Sequence, residues 1–228
     1  MEKKQYDLCV EVLKRLDRVG ILGSLILIGS WCVPFYKEYF KSTTYGLSLR
    51  TRDVDFLVPL ATKFKKIIDL PKLFEDLGFI LSFKGEEGYI RLEHPDLAIE
   101  FLVPETGRGS TEPFKLPDLG INAQQLRYLQ ILSEDTINVE KEGITVRLPH
   151  PALFALHKLI VANLRKNRDK KEKDIKESLQ TLKIILEKEG PAVIHRHFHM
   201  IMPSWQNKIV KLLRQIDEVE ILTILKGK

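Results

Sequence analysis

A mixed-sheet α/β region followed by a bundle of helices is the architecture this 228-residue chain predicts. Three observations point there. Short apolar runs of strand length alternate with helical patterns through the first 103 residues. From Pro151 onward the strand patterns stop and helical periodicity takes over. Gly- and Pro-containing turns, such as Gly20, Gly23, Pro59 and Pro95-Asp96, punctuate many of these segments. The predicted division is residues 1–149 for the α/β region and 150–228 for the helices.

Each element has a local reason. Tyr6, Cys9, Val10, Leu13 and Leu16 recur at helical spacing, and Gly20 and Gly23 end that helix. "LILI" (25–28) is a buried strand and 31–41 a helix. "VDFLVPL" is a strand closed by Pro59. "PKLFEDLGF" is a helix stopped by Gly78. "FILSF", "GYIRLEH" and "LAIEFLVP" are three strands separated by turns at Gly-Glu-Glu-Gly and Pro95-Asp96. Residues 105–120 form a loop, and "TINVEKEGITVRLP" a hairpin turning at Glu142-Gly143. "PALFALHKLIVANLRKN" begins the helical part. "DIKESLQTLKIILEKEG" continues it with the stripe Ile175, Leu179, Leu182 and Leu186. Gly190-Pro191 and Pro203 each open a further helix. The charged patch at 165–173 reads as a solvated turn.

Composition narrows the function classes. The formal charge is +5 and the pI about 9.0, which mildly favours anionic partners such as nucleotides, RNA or DNA. No apolar run approaches the ~20 residues a membrane span requires, so no membrane role is expected. Cys9 and Cys32 offer neither a disulfide framework nor a zinc-ligand set. A reducing cytoplasm is the expected compartment.

The strongest chemical signal is "LRTRDVDFLVP". Asp53 and Asp55 are two apart on a strand, so both side chains leave the same face. Two carboxylates so placed repel unless a cation joins them. Mg²⁺ suits the pair, because it uses one or two carboxylates and leaves places for water and phosphate oxygens. A third carboxylate is expected from a neighbouring strand. In "LAIEFLV", Leu97, Ile99, Phe101 and Val103 take one face, leaving Ala98, Glu100 and Leu102 on the other. Glu100 is either that third carboxylate or a residue on a solvated sheet face.

Upstream, "LILIGSW" ends a strand in Gly29-Ser30 where the next helix begins. Gly29 permits close backbone approach, and Ser30 is expected to cap the helix. The turn is an ordinary N-cap or an anion cradle built from free amides and the helix dipole. On the later helix, Lys158 aligns with Phe154, Ala162 and Arg165. It either snorkels from a core edge or reaches a phosphate.

Taken together and in order, "LIGSW", "RTRDVD" and "IEFLV" resemble the DNA polymerase beta-type nucleotidyltransferase superfamily. The chain is similar in particular to a bacterial and archaeal group with a C-terminal helical region bearing a Lys and a later Lys-Asp pair. The match covers roughly residues 20–180. It implies that Asp53, Asp55 and Glu100 are catalytic and bind two Mg²⁺ ions, with Mn²⁺ an alternative. It further implies that Gly29, Ser30, Arg50, Thr51 and Lys158 bind the nucleotide, and it marks Lys173 and Asp174. Two departures stand out: the interval from Ser30 to Asp53 is long, and the third carboxylate is Glu rather than the commoner Asp.

The expected function is transfer of an NMP from an NTP to a hydroxyl on RNA, protein or a small molecule, releasing pyrophosphate. The alternative is a non-catalytic nucleotide- or RNA-binding protein on the same fold, such as part of a toxin–antitoxin or defence pair. Other motifs carry less. On a helix, His195 and His199 would share a face and suit a transition metal. His94 is a turn residue. "TGRGS" (106–110) lacks the Lys and helix of a P-loop and is a candidate lid. Arg165, Arg168, Lys170 and Lys171 are candidates for phosphate contact. Trp31, Phe35, Tyr36, Tyr39 and Phe40 are expected mostly in the core.

Overall fold

In the computed structural model, which describes residues 3–42, 45, 51–107, 109 and 112–227, the chain opens with helix α1 (Lys3–Arg18). Its buried face is Cys9, Val10, Val12, Leu13 and Leu16, the stripe expected from helical spacing. Strand β1 (Ile26–Ile28) follows, then a 3₁₀ turn over Gly29–Cys32 that runs into α2 (Val33–Tyr39). Strand β2 (Asp53–Leu57) precedes α3 (Leu70–Phe74), which Asp69 caps by accepting the Lys72 amide at 3.1 Å. Gly78 ends the following 3₁₀ turn at φ +86°. Strands β3 (Ile80–Lys84), β4 (Tyr89–Glu93) and β5 (Ala98–Pro104) come next, as their alternation predicted.

Residues 105–120 are less loop-like than expected. They include β6 (Phe114–Leu116), which pairs with β7 (Ile121–Leu126). The segment "INAQQL" escaped the sequence reading because only Ile121, Ala123 and Leu126 are apolar. After a short helix α4 (Ile131–Glu134), β8 (Thr136–Lys141) and β9 (Ile144–Pro149) form the predicted hairpin. Glu142 and Gly143, at φ +55° and +74°, make its two-residue turn.

The helical part holds α5 (Pro151–Ala162), α6 (Arg168–Lys188), α7 (Pro191–Met200), α8 (Pro203–Gln215) and α9 (Val219–Leu225). One expectation is corrected and one helix is additional. The charged patch is not a turn throughout: Asn167 caps α6 by accepting the Lys170 amide, so residues from Arg168 onward are helical. The last helix, α9, was not read from the sequence at all.

The main sheet runs β1-β2-β5-β4-β3, with β2 and β5 parallel and the other pairs along that path antiparallel. β7 continues beside the C-terminal half of β5, past the end of β4. One face of the central strands, with Leu27, Val54, Phe56, Ile99, Phe101 and Val103, enters the main core. Phe56 and Phe101 face each other there with ring centroids 5.5 Å apart. That core continues into the helices through Leu153, Phe154, Leu156, Leu182 and Ile185. The opposite face has a smaller apolar cluster, Ile26, Ile28, Leu57, Leu102, Leu129 and Leu132. On this second face the acidic residues emerge. Trp31, Phe35, Tyr36 and Phe40 are buried as expected, and Tyr36 donates its hydroxyl to the Pro149 carbonyl at 2.9 Å.

Candidate active site

Register sets the acidic cluster. In the parallel β2–β5 pair Asp53 stands opposite Ala98 and Asp55 opposite Glu100. Opposed residues share a face, so all three carboxylates leave the side of the sheet away from the main core. On that face the Glu100 side chain is only 14% exposed, whereas that of Asp53 is 50% exposed, so the face is open to solvent at its Asp53 end and largely covered at Glu100.

The strand on the other side completes the geometry. Ile28 is the partner of Asp55 in β1, and Gly29 follows at φ +72°. A Cβ on Gly29 would lie 2.7 Å from Asp55 Oδ2. Both the backbone angle and the space demand glycine here. Ser30 does not cap α2 as expected. The 3₁₀ turn intervenes, no side chain caps the helix, and the Ser30 hydroxyl instead donates to Glu177 Oε1 at 3.4 Å.

Charge around the cluster explains how three carboxylates coexist. Arg91 on β4, the register partner of Glu100, hydrogen-bonds Asp53 Oδ1. Its Nε lies 3.2 Å from Glu100 Oε1 and 3.6 Å from Glu93, near enough for ion pairing though not aligned as a hydrogen bond. Lys84 Nζ donates to Glu100 Oε1 at 2.8 Å. Burial, and then the Glu100 and Asp53 charges, push the Asp55 carboxyl up to about 7, with Lys158 and Lys84 pulling back only partly. Oxygen donors of this kind fit a hard divalent cation, and the guanidinium and ammonium stand where its positive charge would be felt. As the side chains lie, no three His, Cys, Asp or Glu groups among the described residues converge on a single ion.

A cavity of about 430 Å³ adjoins the cluster. Gly29, Asp55 and Leu102 form its sheet wall, and Leu126, Leu129 and Leu132 one side. Phe154, His157, Lys158 and Val161 of α5 form the other, with Leu164, Arg165 and Asp174 at the edge. Lys158 Nζ is held by Asp174 Oδ1 at 2.8 Å and Glu177 Oε2 at 2.7 Å, and lies 5.5 Å above the Phe154 ring. Burial opposes its charge, but Glu177 and Asp174 outweigh that and hold Lys158 above its ordinary value. The Asp174 carboxyl is correspondingly held low: burial acts against it, but Lys158 and Arg165 prevail. Lys173 lies 3.6 Å from Glu177. His157 is pushed down to about 3 by burial and Lys158, and its Nε2 has no protein partner.

Of the residues singled out from the sequence, Gly29, Asp53, Asp55 and Glu100 meet in one place. Ser30 and Lys158 join them through Glu177. Thr51 has a supporting position, where its hydroxyl accepts the Asp53 amide at 3.2 Å. Arg50 lies outside the described residues, as do Arg108 and Ser110 of the candidate lid. Arg91, Lys84 and Glu177 were missed, because each acts through cross-strand or interhelical proximity that spacing does not encode. His195 and His199 share a face, with Nε2 atoms 3.1 Å apart. His197 is instead buried, bonded to the Val193 carbonyl and to Asp135 at 2.9 Å. His94 is the turn residue expected, its Nδ1 accepting the Asp96 amide.

A family model described as Nucleotidyltransferase matches residues 7–203. No curated protein matches the chain. Among solved structures, the chain is similar to ANT(2")-Ia, crystallised in complex with adenylyl-2"-tobramycin. The TM-score is 0.51 at 14% identity, over 86% of this chain and 97% of that one. An antigenic nucleotidyltransferase-like protein from Paracoccidioides brasiliensis gives 0.49 at 14% identity, over 97% and 93%. The first likeness supports the fold, a mixed sheet followed by C-terminal helices.

Proposed function

The chain belongs to a nucleotidyltransferase family, and on that premise we propose that it moves an NMP from an NTP to a hydroxyl acceptor, releasing pyrophosphate. One observation carries the reading. The β1–β2–β5 register puts Ile28, Asp55 and Glu100 in one row, with Gly29 following Ile28, Asp53 two residues before Asp55, and a cavity of about 430 Å³ against Gly29 and Asp55. Transferase chemistry is assigned to residues 1–149, with 150–228 supplying the second wall of the cavity.

Asp53, Asp55 and Glu100 would hold Mg²⁺ or Mn²⁺. Such ions lower the pKa of an attacking hydroxyl and offset charge on the leaving pyrophosphate. The chain's own groups do the rest. The absence of a side chain at Gly29 lets phosphate oxygens approach the backbone beside Asp55. Glu100, opposite Asp55, would orient the acceptor hydroxyl and take its proton once Lys84 and Arg91 leave its Oε1. The apolar leucines of the cavity exclude water from the bound nucleotide. Lys158, its charge secured by Asp174 and Glu177, contributes a fixed positive potential at the phosphate end.

The acceptor is RNA, protein or a small molecule. The aminoglycoside adduct bound to ANT(2")-Ia illustrates the small-molecule class, while the +5 charge favours an anionic macromolecule. A second reading, nucleotide binding without transfer, draws on the Arg91 contacts with Asp53 and Glu100. Incubation with each α-labelled NTP, divalent metal and separate RNA, protein and metabolite fractions tests both. Label in one fraction, lost in Asp53→Asn and Glu100→Gln, is the expected result. Metal-independent NTP binding without label transfer would favour the second reading, and no NTP binding would refute both.

A further inference from the structure

We propose that Arg91 is a resident cation for the acidic cluster, and that a divalent ion binds only when Arg91 releases Asp53 and Glu100. The proposal rests on the assignment of those carboxylates as metal ligands.

The contacts are unusually concentrated. One guanidinium reaches Asp53 and Glu100, two of the three assigned ligands, on two different strands. The Arg91 and Glu100 side chains are 19% and 14% exposed, so water screens that contact weakly, whereas Asp53 is half exposed. Arg91 is placed there by register, directly opposite Glu100 in the β4–β5 pair. With Lys84 on Glu100, two positive charges face three carboxylates. These cations offset part of the negative charge of the cluster in which, among the described residues, no three ligands converge.

Release has somewhere to go. Glu93, two residues along β4 and 3.6 Å from Arg91 Nε, is not one of the assigned ligands and is partly exposed. A guanidinium that keeps Glu93 as partner avoids the cost of an unpaired charge. Competition of this kind lowers apparent affinity by the fraction of time the ligands are occupied. The site would then resist free divalent ions and fill best when an NTP supplies further phosphate oxygens. Arg91 acts through the carboxylates, so it is a positioning residue.

Mn²⁺ binding followed by electron paramagnetic resonance, without NTP or acceptor, tests this directly. Arg91→Gln is expected to bind Mn²⁺ about tenfold more tightly than the parent, equivalent to about 1.4 kcal/mol. It should also melt lower without metal and gain more from Mn²⁺. Glu93→Gln, which leaves Arg91 fewer alternatives, should bind Mn²⁺ more weakly. Unchanged or weaker Mn²⁺ binding by folded Arg91→Gln would overturn the proposal. Should Arg91→Gln fold only with Mn²⁺, the proposal is supported. Should it fold in neither state, the parent protein decides. Its Arg91 guanidinium resonance, assigned by its loss in Arg91→Lys, must shift on adding Mg²⁺, and an unmoved resonance overturns the proposal. Since no nucleotide is present, the test can fail while nucleotidyl transfer stands, and can succeed where transfer is absent.

Discussion

Asp55→Asn should stabilise the metal-free protein at alkaline pH while abolishing nucleotidyl transfer. In the native chain burial and the neighbouring Glu100 and Asp53 raise the Asp55 carboxyl from 3.8 to about 7. Between those values the folded state retains a proton that the unfolded chain has released. Stability therefore falls as pH rises through that window and levels off above it. Each pH step inside the window costs about 1.4 kcal/mol. From about pH 5 to about pH 8 the native protein should lose roughly 2–3 kcal/mol through Asp55 alone. Asn cannot ionise, so the advantage of Asp55→Asn should grow by that amount across the same interval. Urea unfolding in chelator, followed by the fluorescence of fully buried Trp31, measures it. Added Mg²⁺ should stabilise the parent at the higher pH and leave Asp55→Asn unchanged. A pH-independent difference between the two proteins would refute the reasoning, since it would mean that neither burial nor the neighbouring carboxylates raise Asp55.

Two further substitutions probe the walls of the site. Gly29→Ala combines a left-handed backbone with a 2.7 Å approach to Asp55 Oδ2 and should cost about 2 kcal/mol or more. Gly20→Ala, at φ +83° with nothing within 4 Å, should cost only the backbone part of about 1 kcal/mol. Equal thermal-melt losses in the two would show that crowding at Asp55 is unimportant. Lys158→Ala strands Asp174 and Glu177, both buried, and should lose about 3–5 kcal/mol in urea unfolding. The double change Lys158→Met with Glu177→Gln should recover much of that, and a single-variant loss below about 1 kcal/mol would show that Arg165 and Lys173 suffice without Lys158.

Much of this molecule was legible residue by residue. Alternation in "LAIEFLVP" assigned Glu100 to the face opposite Ile99 and Phe101, and β5 has that arrangement. The D-x-D spacing put Asp53 and Asp55 on one face for the same reason, a strand's period of two. Helix starts at Pro151, Pro191 and Pro203 followed from the fixed φ of proline. Where local pattern was weak, the reading failed: "INAQQL" is too polar to announce a strand, and it forms β7 by pairing with β5 and β6.

The local sequence determined which faces the strands present, and hence which carboxylates could meet. Only the tertiary structure decided which cations meet them. Arg91 lies nine residues from Glu100 and thirty-eight from Asp53, and nothing in "GYIRLE" shows which strands will flank it. Ser30 and Glu177, 147 residues apart, are joined by the docking of α6 beside the turn after β1. Periodicity is a property of one segment, set by backbone geometry, whereas an ion pair depends on which segments become neighbours. That choice is made by burial of the whole core, so the acidic cluster could be anticipated from the chain and its counter-charges could not.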